Sequence, residues 1–311
     1  MSSVWSCQPG VAFYTVYFTY RQSLSRTLFV YFGKYVATVE LKPPLSLKSG
    51  KEKDHFVVIR PAETHVYRDI LLCDPTIKPV NISAVWFPKP ITHSNQHQRG
   101  HRVFLHLHGG AYLIGSGRDL DMGFATSLLL QSSPGSAIFC PEYRLSSLPG
   151  GRFPAAFQDA VTAYSYLITQ LQIPASDIIL SGDSAGAHLA LALLRYTNAH
   201  QDTLPEPAAL LLWIADDTPA TKVDHVDTKV ARSDPYLSPS KEAIPTQIPI
   251  WVQWGSTEVL REDIVKEGSL GTNEVPYALH DILALAPLLG WKSEAAKVVE
   301  EAIRFLNSKV A

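Results

Sequence analysis

The sequence predicts an α/β fold in which a mostly parallel sheet carries helices on both faces. From Ala137 onward, apolar runs of strand length alternate with longer stretches of helical spacing, and this alternation is typical of such a sheet. The chain has 311 residues, 46% of them apolar, so it can bury a large core as one big domain or as two smaller ones.

The predicted elements follow in order along the chain. A linker-like stretch with paired prolines, Lys42 to Lys53, separates an aromatic N-terminal segment from the rest. Short β-rich runs follow at His55–Ile59, Val66–Leu72, Val80–Phe87 and Val103–Leu107. Further strands are predicted at Ala137–Cys140, Asp177–Leu180, Ala208–Ile214 and Ile248–Trp254. Helices are predicted at Ala155–Gln170, Ala185–Tyr196 and Lys292–Ser308.

Composition argues against several classes of protein. The 27 basic and 29 acidic residues leave a net charge of −2, so we expect no nucleic-acid partner. Cys7, Cys73 and Cys140 lie far apart without a C-x-x-C pair, which argues against a disulfide framework or a zinc site. A reducing compartment, the cytoplasm, is the simpler expectation.

The N-terminal segment is apolar and aromatic, but charged residues interrupt it. Arg21, Arg26 and Lys34 break the run from Val11 to Val39, and each would be costly at the centre of a bilayer. A signal peptide requires a basic region before its apolar part, and this segment has none there. We interpret the segment as amphipathic helical cover, with contact to a membrane surface as the alternative.

The stretch "LSGDSAGAHLA" carries the first chemical signal. Its Gly182-x-Ser184-x-Gly186 pattern lies between the strand that ends at Leu180 and the helix that begins at Ala185. A sharp strand-to-helix turn with small flanking residues exposes a nucleophilic serine above the sheet. We call this turn, residues 182–186, the elbow, and the helix that begins at Ala185 the elbow helix. The helix N-terminus behind it favours developing negative charge. The alternative is a tight turn without chemistry.

A second glycine-rich turn, His108-Gly-Gly-Ala-Tyr112, follows the apolar strand "RVFLHLH". Backbone N–H groups at such a turn can donate to an oxyanion, each contributing about 2.7–4 kcal/mol to the transition state. An ordinary glycine turn is the alternative.

A serine nucleophile needs a histidine base, and four histidines follow Ser184. His188 lies one turn along the elbow helix. His200 and His225 precede any late strand that could supply the orienting carboxylate. Hydrolases whose nucleophilic serine lies in such a strand-to-helix turn order the residues as Ser, acid and His along the chain. His280 is therefore the predicted base.

The orienting carboxylate is expected at the end of the strand before the base. Glu258 is the first carboxylate after the strand Ile248–Trp254, and Asp263 is the reserve candidate one helical turn later. Asp183, beside the nucleophile, is interpreted as a support for the elbow.

Six motifs in this order resemble the hormone-sensitive-lipase branch of the α/β-hydrolase fold, and the chain is similar to fungal members often called "α/β hydrolase fold-3". The resemblance runs from about residue 55 to residue 311. The motifs are His108-Gly-Gly-Ala-Tyr112, Pro141-Glu-Tyr-Arg-Leu145, Phe153-Pro-Ala-Ala-x-x-Asp159, Gly182-Asp-Ser-Ala-Gly186, Ser233-Asp-Pro-Tyr-Leu-Ser-Pro239 and Gly255-Ser-Thr-Glu-Val-Leu260.

The resemblance implies a cofactor-free and metal-free serine hydrolase acting on a small-molecule carboxylic ester. Ser184 would be the nucleophile, His280 the base and Glu258 the acid. The oxyanion hole would comprise Gly109, Gly110, Ala111 and Ala185, with Gly109 leaving room and the other three donating N–H groups.

The resemblance also implies two parts, a cap segment at residues 1–50 and a catalytic domain at residues 51–311. The aromatic side chains of the cap suggest an apolar acyl or polyketide-like substrate, although they could equally be core packing. They are Trp5, Phe13, Tyr14, Tyr17, Phe18 and Tyr20.

Three departures from the pattern keep other functions open. Ala111 replaces the usual third glycine, which restricts the backbone, and Glu258 stands where Asp is commoner. Only 21 residues separate Glu258 from His280, and Pro276 stands where the last strand should pair. The alternatives are a ligand-binding member of the fold without turnover, or a secondary-metabolite enzyme that uses the pocket for lactone opening or condensation.

Overall fold

The computed structural model describes residues 46–91, 101–213, 230–231, 233–239, 242–255, 270–275 and 282–310. Nearly all of the predicted cap segment, residues 1–45, lies outside the described residues, together with its aromatic side chains.

The described residues form one eight-stranded sheet in the order β1-β2-β4-β3-β5-β6-β7-β8. The pairs β1–β2 and β2–β4 are antiparallel, and every other neighbouring pair is parallel. This confirms the predicted mostly parallel sheet. The strands are β1 Phe56–Ile59, β2 Ile82–Phe87, β3 Val103–Leu107, β4 Ala137–Glu142, β5 Ile178–Asp183, β6 Ala209–Trp213, β7 Ile250–Gly255 and β8 Leu270–Val275.

Helices cover both faces of the sheet, as the sequence predicts. Their bounds are α1 Asp119–Ser132, α2 Ala155–Ser165, α3 Ala185–Ala199, α4 Ile282–Leu289 and α5 Lys292–Lys309, with α2 continued by a π-helical turn at Tyr166–Gln170. No helix in this described part of the chain is both long and apolar enough to cross a membrane.

Two buried apolar layers hold the helices to the sheet. Val103 and Leu105 of β3 belong to the layer that α2 and α3 cover, whereas Phe104, between them, belongs to the layer of α1, α4 and α5. Successive side chains of a strand point to opposite faces, so a strand covered on both sides reads as a continuous apolar run. This explains why β3 to β6 are visible in the sequence.

The predicted strand at Val66–Leu72 is wrong. The structure has two short 3₁₀ turns there, Thr64–Val66 and Asp69–Leu72. The hydroxyl of Tyr196 donates to the carbonyl of Val66 at 2.6 Å and accepts the N–H of Arg68 at 2.9 Å. A side chain therefore satisfies backbone groups that would otherwise pair with a neighbouring strand.

The last strand lies earlier than the sequence suggests. β8 ends at Val275, whose register partner is Gly255 of β7, and Pro276 lies outside the described residues. The structure also contains α1 and α4, which the sequence analysis did not predict.

Arg144 and Asp159 form an ion pair in the N-terminal half of α2. The Arg144 guanidinium donates to both carboxylate oxygens of Asp159 at 2.8–3.1 Å, and the Arg144 backbone N–H donates to the same carboxylate at 2.8 Å. Asp159 is fully buried. The same guanidinium donates to the carbonyls of Lys78 and Ala155, so it ties the β1–β2 region to α2.

We predict that Asp159→Asn lowers the free energy of unfolding by about 3–5 kcal/mol, because it leaves a largely buried guanidinium without its carboxylate. Urea unfolding at pH 7 measures this. Asp202→Asn is the matched control, since Asp202 pairs with Arg68 on the surface and its loss should change stability little. Equal effects of the two substitutions would contradict the prediction.

Candidate active site

Ser184 occupies a strained turn between β5 and α3. Its backbone has φ +48° and ψ −118°, a conformation that residues other than glycine rarely adopt. The Ser184 N–H donates to the carbonyl of Trp213 at the end of β6, at 3.1 Å. The predicted strand-turn-helix context of the G-x-S-x-G pattern is therefore present in the structure.

The two glycines of the pattern are required by close backbone approach. A Cβ atom on Gly186 would lie 2.0 Å from the carbonyl oxygen of Leu107 in β3. A Cβ atom on Gly182 would lie 2.3 Å from the carbonyl oxygen of Gly186. The elbow is thus packed directly against the end of the neighbouring strand, which leads into the second glycine-rich turn.

That second turn, residues 109–112, lies against the nucleophile. A Cβ atom on Gly109 would be 3.2 Å from the Cβ atom of Ser184. Gly110, Ala111 and Tyr112 all have positive φ angles, of +110°, +54° and +60°. Ala111, where the sequence lacks the usual glycine, therefore adopts the left-handed conformation despite its side chain.

The turn leaves amide groups available for a ligand. The carbonyl of Gly110 accepts the N–H groups of Leu113 and Ile114, at 2.9 and 3.1 Å. Among the described residues, no acceptor receives the N–H of Gly110 or Ala111. Ala185 is the first residue of α3, where N–H groups have no acceptor within the helix. These are the three donors that the sequence analysis proposes for the oxyanion hole.

Gly109 contributes space and not a donor. Its N–H donates to Oδ2 of Asp183 at 2.8 Å, and a Cβ atom on Gly109 would lie 2.3 Å from the same oxygen. Asp183 therefore supports the glycine-rich turn as well as the elbow.

A buried polar network continues behind Asp183. Nε2 of His106 lies 3.3 Å from Oδ1 of Asp183, and Nδ1 of His106 lies 2.9 Å from the hydroxyl of Ser181. The indole N–H of Trp213 donates to the same hydroxyl at 2.9 Å. All four side chains are buried. The sequence analysis missed His106, and the only available signal was a histidine inside an otherwise apolar strand.

His108 holds the turn from its other side. Its Nδ1 lies 2.7 Å from the carbonyl of Gly109, and its ring stacks on Tyr143 with the centroids 4.1 Å apart. The Tyr143 hydroxyl donates to the His108 carbonyl at 2.6 Å. Burial lowers the pKa of His108 to about 4, so the ring is neutral at pH 7 and its Nδ1–H donates to Gly109.

A small cavity of about 40 Å³ lies beside the elbow helix, one turn after Ser184. At its polar end, Nε2–H of His188 faces the carbonyl of Leu237 at 3.3 Å, so Nδ1 accepts the proton of the Tyr112 hydroxyl at 2.7 Å. Burial lowers the pKa of His188 to about 4. The lining is otherwise mostly apolar and includes Phe153, Phe157, Leu189, Ala192 and Tyr236.

Glu258, Asp263 and His280 lie outside the described residues. The strands that precede them are described, since β7 ends at Gly255 and β8 ends at Val275. Both run parallel to β5, so the chain leaves them at the same edge of the sheet as Ser184. No group of three or more His, Cys, Asp or Glu side chains among the described residues has the arrangement of a metal site.

Known proteins share this architecture. Residues 104–240 match the family described as alpha/beta hydrolase fold. An acetyl-hydrolase from Streptomyces hygroscopicus is 33% identical over 182 residues, which cover 52% of this chain and 59% of that protein. An esterase from Acinetobacter venetianus is 28% identical over 183 residues, covering 52% and 58%. The chain thus matches less than two thirds of the length of these curated relatives.

Two solved structures extend the likeness over more of the chain. An esterase from the bacterial hormone-sensitive lipase family superposes with a TM-score of 0.58 at 25% identity, covering 74% of this chain and 82% of that chain. A hormone-sensitive lipase from a metagenome library gives a TM-score of 0.53 at 25% identity with the same coverage. The fold predicted from the six motifs is confirmed.

We predict that Gly186→Ala lowers the free energy of unfolding by about 3 kcal/mol or more, because its Cβ atom would collide with the Leu107 carbonyl. The control is Gly123→Ala in α1, where the Cβ atom meets only the carboxylate of the exposed Asp119, at 3.0 Å. This control should stabilise the protein slightly, by about 0.5 kcal/mol. Urea unfolding compares them, and similar stabilities would contradict the packing argument.

Acid should destabilise the protein partly through His108. The unfolded chain binds a proton on this ring as the pH falls through 6.5, whereas the folded chain does so only near 4. Its contribution is therefore complete above pH 6.5 and is lost toward pH 4, by about 3 kcal/mol. Urea unfolding between pH 7 and 4.5 should show a smaller loss for His108→Gln than for the wild type. Equal losses would contradict the assignment.

Proposed function

The chain is an α/β-hydrolase-fold protein of the hormone-sensitive-lipase type, and on that premise we propose that it hydrolyses carboxylic esters through an acyl-enzyme on Ser184. The strained backbone of Ser184 is the observation that carries the proposal. A serine at φ +48° costs stability, and such strain persists where the surrounding structure holds it for function. The names of the relatives, acetyl-hydrolase and esterase, support the same reaction class.

The reaction we propose has two halves. Ser184 attacks the ester carbonyl while His280 takes its proton, and Glu258 holds the imidazole in the correct orientation. Collapse of the tetrahedral intermediate expels the alcohol, which His280 protonates. Water then attacks the acyl-enzyme as the same imidazole takes its proton. Collapse of this intermediate releases the carboxylic acid while the imidazolium returns the proton to the Ser184 oxygen.

The oxyanion of each tetrahedral intermediate would be stabilised by the N–H groups of Gly110, Ala111 and Ala185. The geometry of the turn supports this assignment. The left-handed backbone at residues 110–112 directs the Gly110 carbonyl toward Leu113 and Ile114, and among the described residues no acceptor receives the N–H of Gly110 or Ala111. Donors that are already oriented need no reorganisation as charge develops, which makes them effective in catalysis.

The substrate we propose is a small-molecule ester with an apolar acyl group or a polyketide-like skeleton. The apolar cavity beside Tyr112 and His188 supports an apolar group near the nucleophile. The name of the acetyl-hydrolase relative favours a short acyl chain.

Hydrolysis of p-nitrophenyl acetate, butyrate and octanoate tests the proposal. We expect Ser184→Ala and His280→Ala to lose about 10³-fold or more of the rate, because both are required for acyl transfer. The control is Ser127→Ala, which should keep the wild-type rate. Ser127 lies on α1, and its hydroxyl donates to the carbonyl of Phe124 in the same helix. Labelling by a fluorophosphonate, followed by mass spectrometry, should modify Ser184.

A wild type that is no faster than Ser184→Ala, and that takes up no fluorophosphonate at Ser184, would overturn the esterase proposal. Binding of a ligand without turnover would then be the better account of the same pocket.

A further inference from the structure

We propose that His106 is a positioning residue for the oxyanion hole, which it stabilises through Asp183 and Gly109. The inference deepens the proposed ester hydrolysis and rests on it for its kinetic consequence. His106 lies on β3 with no place in the catalytic scheme above, yet it faces the one carboxylate that anchors the glycine-rich turn.

The contacts form a continuous chain from the sheet to the turn. Trp213 of β6 donates its indole N–H to the hydroxyl of Ser181 on β5. That hydroxyl contacts Nδ1 of His106 at 2.9 Å, and Nε2 of His106 faces Oδ1 of Asp183 at 3.3 Å. The other oxygen of Asp183 accepts the N–H of Gly109 at 2.8 Å.

Elementary chemistry determines where the protons lie. An indole N–H only donates, so Trp213 occupies a lone pair of the Ser181 oxygen. The hydroxyl proton of Ser181 is then available to another acceptor. A bare Nε2 lone pair facing a carboxylate oxygen would be repelled, so Nε2 of His106 carries the proton. In the neutral ring Nδ1 then accepts from Ser181. Nε2–H then faces Oδ1 of Asp183 at 3.3 Å, an electrostatic contact whose alignment falls short of a hydrogen bond.

Burial makes this partner important to Asp183. The carboxylate is about 2% exposed and the imidazole is fully buried, so bulk water does not solvate the charge. A buried carboxylate that loses the electrostatic stabilisation of a neighbouring N–H group either takes up a proton or turns toward another partner. Either response weakens the bond to the Gly109 N–H, and Gly110 and Ala111 follow directly in the chain.

The consequence is specific to catalysis. Displacing catalytic groups by about 1 Å can cost about 10²-fold in rate, whereas ground-state binding of a substrate depends less on the oxyanion donors. Loss of His106 should therefore lower kcat with little change in KM. If His106 only filled space in the core, its loss would lower thermal stability without affecting kcat more than KM.

Three variants test the proposal on p-nitrophenyl butyrate. His106→Phe keeps a ring of similar size without a donor, and we expect kcat to fall about 10- to 100-fold with KM changed less than about 3-fold. His106→Gln can present an amide N–H to Asp183 and should recover most of the lost rate. The matched control is His200→Phe, because His200 also faces a carboxylate, Asp69 at 3.4 Å, away from the site. It should keep the wild-type kcat.

Amide hydrogen exchange at Gly109, followed by NMR, supplies a readout that does not need turnover. We expect the Gly109 N–H to exchange about 10-fold faster in His106→Phe than in the wild type, and to be unchanged in His106→Gln and His200→Phe. Thermal melting of each variant identifies any that fails to fold. If His106→Phe fails, His106→Leu, which also lacks a donor, takes its place with the same expected loss of kcat and the same faster exchange.

Unchanged exchange at Gly109 in a folded His106→Phe protein would overturn the proposal, as would equal kcat values for the Phe and Gln variants. If the wild type does not hydrolyse esters at all, the proposed function fails, and the exchange measurement still decides whether His106 positions the turn.

Discussion

The bond from the Gly109 N–H to the Asp183 carboxylate joins the two turns on which the candidate site depends. One turn carries the nucleophile after β5, and the other carries the oxyanion donors after β3. Because β3 and β5 are adjacent and parallel, their carboxyl ends meet at one edge of the sheet. A single buried carboxylate can therefore hold both turns at once.

The packing around this bond leaves little freedom. Gly186 lies so close to the Leu107 carbonyl that a methyl group would not fit, and Gly109 is similarly close to Asp183 and Ser184. Densely packed backbone maintains the positive φ angles of Ser184, Ala111 and Tyr112. The strain at these three residues is thus a property of the fold around them, since short peptides of the same sequence would relax it.

Much of the architecture could be predicted from local pattern. The runs at Val103–Leu105 and Ile178–Leu180 are apolar on both faces, and such runs are recognisable because helices cover both sides of the sheet. The segment Val66–Leu72 misled the prediction because it is equally rich in β-formers. Its backbone partner is the hydroxyl of Tyr196, which is far away in sequence and which no local pattern could indicate.

The sequence by itself determined the order of strands β1 to β7, the elbow serine and the glycine-rich turn, because each depends on residue type and short-range spacing. Only the tertiary structure decided that the Asp183 carboxylate accepts the N–H of Gly109, and that His106 faces Asp183. These relations join β3 to β5 across 74 or more residues of chain, through side-chain contacts with no periodicity in the sequence. A contact made only when distant strands meet leaves no local signal, so folding is needed to reveal it.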